Sequence, residues 1–126
     1  MRLLVDSSFV IDFLRGQPEA RERWVSSFDQ GDEPIVTEVV VCEVRAGLRE
    51  LDEGRLVAFL EPVEFVQPGP ATAMLAGRWR SEAHGRGFRL SLADALIAAA
   101  AHDGGAAVLT RNIRDFALTP VRIETY

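Results

Sequence analysis

The sequence predicts a three-layer α/β/α fold with a mostly parallel central sheet, and three observations predict it. Short apolar runs alternate with longer segments of helical spacing, the pattern of an α/β chain. The runs at residues 3–5 and 106–109 are apolar at every position, as in strands covered on both faces. Each run also gives way abruptly to polar residues. The 126 residues fit one domain, 1–126, with no internal repeat, linker or low-complexity segment.

Leu3-Leu4-Val5 reads as a buried strand that stops at Asp6-Ser7-Ser8. Phe9, Val10, Phe13 and Leu14 then follow helical spacing until Arg15-Gly16 closes the element. Asp6 therefore stands at the carboxyl end of a strand, the edge where open α/β sheets bind ligands. A helix cap at Asp6 or Ser7 is the commoner role for such a position.

Residues 18–30 predict an amphipathic helix with Trp24, Val25 and Phe28 inward. A loop at 31–34 leads into a short strand, Pro34-Ile35-Val36. Thr37 is placed to cap a helix carrying Val39, Val40, Val41, Val44, Ala46 and Leu48. Within it Glu43, flanked by Cys42 and Val44, either faces inward or pairs with an arginine or solvent. Cys42, the single cysteine, is expected in the core; it excludes an internal disulfide and suits a reducing compartment.

A helix at 51–60 uses Leu51, Leu56, Phe59 and Leu60 as apolar contacts. Residues 63–66 alternate into a strand, and Gln67-Pro68-Gly69-Pro70 breaks it. From 71 to 83 a helix carries Met74, Leu75 and Trp79 on one side and Arg78, Arg80 and Glu82 on the other. A basic turn, His84-Gly85-Arg86-Gly87, follows with His84 in solvent.

The strongest helix signal is 91–101, rich in alanine and leucine and apolar on all sides, so it should run through the interior. Asp94 is its one misplaced charge, costly to bury unless paired, capped or bound to a cation. A capping box, with Ser91 as N-cap and Asp94 as the third-position acid, would satisfy it locally. A cation would do so if other isolated acids converge there. His102 suits the carboxyl end of this helix. A strand at 106–109 ends in Thr110-Arg111-Asn112-Ile113-Arg114-Asp115-Phe116, and Val121 and Ile123 suit a final edge strand after Pro120.

Asp6, Glu43, Asp94 and Asp115 thus recur beside strand ends or in helices that start there. Parallel connectivity can gather such positions, and clustered carboxylates repel unless protonated or neutralised. Oxygen donors of this kind suit one or two Mg²⁺ or Mn²⁺ ions. No His or Cys cluster suggests zinc, no glycine-rich phosphate loop is present, and no Ser-His pair sits in a nucleophile elbow. The net charge of −5 argues against strong nonspecific binding to nucleic acid. All 14 basic residues are arginine, however, and residues 76–126 carry 7 of them against 5 acids. Arginine recognises phosphates and carboxylates through paired donors, so this third suits a phosphate backbone or an acidic partner. No run reaches transmembrane length, and the apolar start is too short for a signal peptide, so a cytoplasmic protein is expected.

Four segments in order resemble PIN-domain ribonucleases, and among these the small VapC-type toxins of toxin–antitoxin pairs. They are Leu4-Val5-Asp6-Ser7-Ser8 with Ile11-Asp12-Phe13-Leu14; Thr37 with Glu43 and Gly47; Leu92-Ala93-Asp94-Ala95-Leu96-Ile97-Ala98-Ala99; and Leu109-Thr110-Arg111-Asn112 with Asp115-Phe116. The resemblance implies a PIN fold, metal-dependent endonucleolytic cleavage of RNA, a homodimer and inhibition by a cognate antitoxin. It makes Asp6, Glu43 and Asp94 the main acids. At the fourth position some relatives carry Asp where this chain has Asn112, and others offer an acid one turn later, as at Asp115. Ser7, Thr110 and Asn112 would then orient a ligand or water, and Arg78, Arg80, Arg86, Arg89, Arg111 and Arg114 are candidate phosphate contacts. Two other readings are a PIN-like scaffold that only binds a partner and a receiver-like Mg²⁺-dependent phosphoacceptor. The receiver normally needs a lysine near its last strand, and the chain has none.

Overall fold

A computed structural model describes all of residues 1–126. Five strands, β1 (Arg2–Val5), β2 (Glu33–Thr37), β3 (Glu64–Val66), β4 (Ala107–Leu109) and β5 (Ile123–Glu124), form one sheet in the order β3-β2-β1-β4-β5. Every pairing is parallel, with Leu4 of β1 beside Ile35 of β2 and Val108 of β4. Leu3, Leu4, Val5, Val108 and Leu109 are fully buried, which explains why these strands read as unbroken apolar runs.

The chain moves outward from β1 through β2 and β3, then restarts on the other side of β1 with β4 and β5. The reversal lies between β1 and β4, and the carboxyl ends of strands at such a reversal frame a crevice. Helices α1 (Ser7–Leu14) and α2 (Pro18–Asp29) link β1 to β2. The chain then passes through α3 (Glu38–Ala46), a 3₁₀ turn at Glu50–Asp52 and α4 (Glu53–Leu60) to β3. Helices α5 (Pro70–Gly85) and α6 (Leu92–Asp103) make the return crossover, and α7 (Ile113–Phe116) is a single turn after β4. Because parallel crossovers are right-handed, reversing the direction of travel puts α5 and α6 on the face opposite the earlier helices.

Helix α6 packs on α5 and against β1 and β4. Ala95, Ala98, Ala99 and Ala101 are fully buried there, their small side chains letting the helix lie close to the sheet. Its first turn is the exception, with Leu92 59% exposed. On the other face, Trp24 stacks on Phe59 at 4.6 Å between ring centres, while Phe13 and Phe9 close around them.

Several side chains lie on other faces than the sequence suggests. Helix α2 buries only the stripe Ala20, Trp24 and Ser27, leaving Val25 60% and Phe28 43% exposed. Cys42 is exposed rather than in the core: α3 buries Val40 and Val44, and a residue midway between them points the opposite way. The same geometry exposes Met74, because α5 buries Thr72, Ala76, Trp79 and Ala83. Leu51 sits in the 3₁₀ turn and is also exposed, and His84 and Gly85 form the last turn of α5 rather than a loop.

Candidate active site

Asp6 follows β1 directly and occupies the N-cap position of α1, but its carboxylate caps nothing. Two hydroxyls instead converge on one of its oxygens: Thr110 Oγ1 donates to Oδ2 at 2.8 Å and Ser8 Oγ at 3.0 Å. Thr110, the first residue after β4, is fully buried. Its hydroxyl in turn accepts from the Asn112 backbone N–H at 2.8 Å, and Ser8 Oγ accepts from that of Arg111 at 3.2 Å. Each hydroxyl has one proton, and both protons go to Oδ2. Oδ1 is left buried with no partner on a residue only 2% exposed. A bare buried carboxylate oxygen costs about 1–3 kcal/mol or more unless something positive meets it.

Asp94 enters from the opposite face, in the first turn of α6. Ser91 is the N-cap, its Oγ accepting the Asp94 N–H at 3.1 Å. Ser91 thus caps the helix, which is half of the expected capping box, and the cap does not settle the Asp94 charge. Burial, then the charge of Asp6, pushes the Asp94 carboxyl up to about 6. A hydrogen bond with Ser91 opposes the shift, while the charges of Asp115 and Glu43 add to it. Asp94 is thus within electrostatic reach of three other carboxyls, carried at the end of β1, on α3 and on α7. Helix α3, which carries Glu43, also touches α6.

The Glu43 stem is exposed, but its tip turns toward α1, where Ser7 Oγ donates to Oε1 at 3.0 Å. Partial burial raises its carboxyl; the Ser7 hydrogen bond opposes this and the Asp6 charge adds to it. Asp115 sits on the one-turn helix α7 and is steadied by Asn112, whose Nδ2 donates to Oδ2 at 2.7 Å. No three His, Cys, Asp or Glu side chains close into a ready-made metal cage. The acids are instead linked through their charges, Asp94 to Asp6, Asp115 and Glu43, and Glu43 to Asp6.

The candidate arginines divide. Arg111 Nη1 holds both oxygens of Asp12 at 2.8 and 2.9 Å. Arg80 donates to the Leu90 carbonyl and Arg86 to that of Leu118. Arg78, Arg89 and Arg114 make no ion pair; Arg89 and Arg114 line a cleft of about 680 Å³ that also reaches Asn112 and Asp115.

Three polar side chains around the acids were not assigned a role from the sequence. Ser8 was legible as part of the Asp6-Ser7-Ser8 turn. Asp12, only 4% exposed, was legible as an isolated acid among apolar residues, the same signal that marks Asp94. Tyr126, whose hydroxyl donates to Asp12 Oδ2 at 2.7 Å, gave no local signal. Unlike Asp6, Asp12 has partners on both oxygens.

Comparison with known proteins agrees with this architecture. Residues 3–120 match the model of the PIN domain family. Ribonuclease VapC19 of Mycobacterium tuberculosis is 32% identical over 117 residues, which are 93% of this chain and 94% of that protein. VapBC2 from Rickettsia felis, solved bound to a DNA fragment from its promoter, superposes with a TM-score of 0.87 at 20% identity, covering 100% of this chain and 99% of that one. Mycobacterium tuberculosis VapC20, a sarcin-ricin loop cleaving toxin, gives 0.72 at 18% identity over 94% and 95% of the two chains. With the matched family model spanning nearly the whole chain, and a ribonuclease relative of almost the same length, the chain belongs to the PIN domain family, among its VapC-type ribonucleases.

Proposed function

We propose that this chain is a metal-dependent endoribonuclease, the toxin of a type II toxin–antitoxin pair, with its phosphodiester cleavage centred on Asp6, Glu43, Asp94 and Asp115. The observation that carries the reading is the buried Asp6 Oδ1 that no donor meets, in reach of Asp94, whose carboxyl is pushed up to about 6 by burial and then by the Asp6 charge. Burial and like charge gathered on one carboxyl are what a bound cation would offset.

The donor set fits a hard divalent ion such as Mg²⁺ or Mn²⁺. It is all oxygen, and Asp6 Oδ1 is buried without a donor, as a ligand oxygen would be. Asp6 and Asp94 would hold the first ion, with Glu43 and Asp115 completing its surroundings or sharing a second. When bound, such an ion supplies positive charge against the scissile phosphate and acidifies an attacking water. The chain's own groups do the positioning. Thr110 and Ser8 fix the Asp6 carboxylate through Oδ2 and so aim Oδ1; Ser7 restrains Glu43, and Asn112 restrains Asp115. The family likeness favours products ending in 3′-hydroxyl and 5′-phosphate.

The neighbours solved as VapBC assemblies support a cognate antitoxin as partner, and a homodimer acting on cytoplasmic RNA is part of the same proposal. No helix is long and apolar enough to cross a membrane. The deciding experiment incubates the purified chain with total cellular RNA in Mg²⁺, Mn²⁺ or chelator, beside Asp94→Asn. Cleavage that requires the ion and disappears in the folded variant is the expected result. An inert but folded parent chain that still captures its antitoxin would replace the nuclease with a binding scaffold.

A further inference from the structure

The turn between α5 and α6 displays an aromatic ring in a cleft shared with Asp115. The last residues of α5 are closed by two backbone bonds, Gly87 N–H to His84 O at 2.9 Å and Phe88 N–H to Ala83 O at 2.9 Å. Gly87 has φ +84°, a conformation that side chains rarely tolerate, so the reversal depends on glycine there. On the far side, Arg80 Nε donates to the Leu90 carbonyl at 3.0 Å. Phe88 and Arg89 are therefore carried on a segment pinned at both ends, yet the Phe88 ring is 54% exposed. A single exposed ring is ordinary on a protein surface, so it is the company this one keeps that matters.

Its surroundings narrow the occupant. Phe88 and Arg89 form one wall of the cleft of about 680 Å³; Asn112, Arg114 and Asp115 form the other, with Leu118 also in the lining. Neither Arg89 nor Arg114 has an ion-pair partner or a side-chain hydrogen bond, and of the arginines free in this way these two line the cleft together. Two uncommitted guanidiniums flanking an exposed ring, in a cleft that opens onto one of the four acids, match the parts of a single-stranded nucleotide: a base face between phosphates.

We propose that this cleft is a nucleotide subsite, in which Phe88 stacks on one unpaired base of the RNA and Arg89 and Arg114 take the adjacent phosphates. This rests on the RNA-cleaving reading above and deepens it. The acids repel an RNA strand, so a neighbouring pair of cations gives the strand its foothold and sets which phosphodiester lies over Asp6 and Asp94. An aromatic face accepts any base, so the subsite supplies affinity and register rather than sequence choice. Phe88 here is a positioning residue, and Asp115 belongs to both the cleft and the acids.

The test uses fluorescein-labelled oligoadenylate and oligouridylate as probes, bound in Mg²⁺ to the full-length Asp94→Asn chain so that nothing is cut. Phe88→Ala should weaken binding by roughly five- to a hundredfold, the range for losing one base stack, and Phe88→Trp should restore it. An abasic position walked along oligoadenylate should weaken the Phe88 protein at one register and leave Phe88→Ala insensitive at all of them. In the cleaving background, Phe88→Ala should raise KM with kcat nearly unchanged. Equal RNA binding by Phe88→Ala overturns the proposal, as does a uniform abasic penalty in both proteins. Loss of self-association or antitoxin binding by Phe88→Ala, with RNA binding intact, would reassign the ring to a protein contact. Phe88-dependent binding of RNA that the parent chain never cuts would sink the nuclease reading and leave the subsite standing.

Discussion

The substitution Asp94→Asn should abolish cleavage and, in the absence of divalent ions, make the protein more stable. The Asp94 carboxyl rises from 3.8 to about 6 on folding, and each pH unit of such a shift corresponds to about 1.36 kcal/mol. The full displacement would be about 3 kcal/mol, but Asp94 is only partly buried, and solvent screening reduces this to about 1.5 kcal/mol. Asparagine also forfeits a favourable anion at the start of α6, about 0.3–1 kcal/mol. The Ser91 cap is kept, because it accepts the backbone N–H of residue 94. The net gain is about 0.5–1 kcal/mol, read as a higher urea midpoint by fluorescence of Trp24 and Trp79.

The gain has a defined pH dependence. Between pH 3.8 and about 6 the folded protein holds the Asp94 proton more tightly than the unfolded chain does, so native stability falls as pH rises through that window. The penalty is complete above about 6, and at pH 4.5 roughly a third of it remains. The variant's advantage should therefore be full at pH 7.5 and mostly gone at pH 4.5. A divalent ion at tenfold its Kd stabilises the parent by about 1.4 kcal/mol and should cancel or invert the order. An advantage independent of pH, or a variant less stable than its parent in chelator at pH 7.5, would refute the coupling among the acids.

Thr110→Val removes a buried hydroxyl that both donates to Asp6 and accepts from Asn112; a loss of about 1–3 kcal/mol in urea unfolding and a lower kcat are expected. Ser7→Ala deletes the hydrogen bond that holds the Glu43 carboxyl down, so that group should titrate higher still. The acid limb of the pH–rate profile then moves to higher pH while stability changes by less than about 1 kcal/mol. Asp12→Asn takes the anion from Arg111 and Tyr126. Because Arg111 is 59% exposed, the cost should stay near 1–2 kcal/mol, and spectrophotometric titration should find the Tyr126 phenol, raised chiefly by burial and by Asp12, shifted downward.

The sheet was legible because its central strands are buried on both faces, which demands apolar residues at every position of β1 and β4. The helix faces were less so. In α2 and α3 apolar residues stand on more than one side, and burial follows the narrow stripes Ala20-Trp24-Ser27 and Val40-Val44, which composition does not single out from Val25 or Cys42. The one-turn α7 is too short to leave a periodic signal, so Asp115 could be placed only relative to Asn112.

An isolated acid in an apolar stretch is the signal that singles out Asp94 and that Asp12 shares, and the structure separates the two by their partners. Asp12 is answered by Arg111 and Tyr126, which lie 99 and 114 residues further along the chain, a distance over which local sequence is silent. Asp94 has its local answer in Ser91 and is still pushed up, first by burial and then by the charges of Asp6, Asp115 and Glu43. A helix cap and a cation site are thus not rival explanations for Asp94. The cap fixes the backbone, and the unrelieved charge on the side chain is what a divalent ion would bind. Asp6 makes the same division within a single carboxylate, where Oδ2 is anchored by two hydroxyls and Oδ1 is left without a partner.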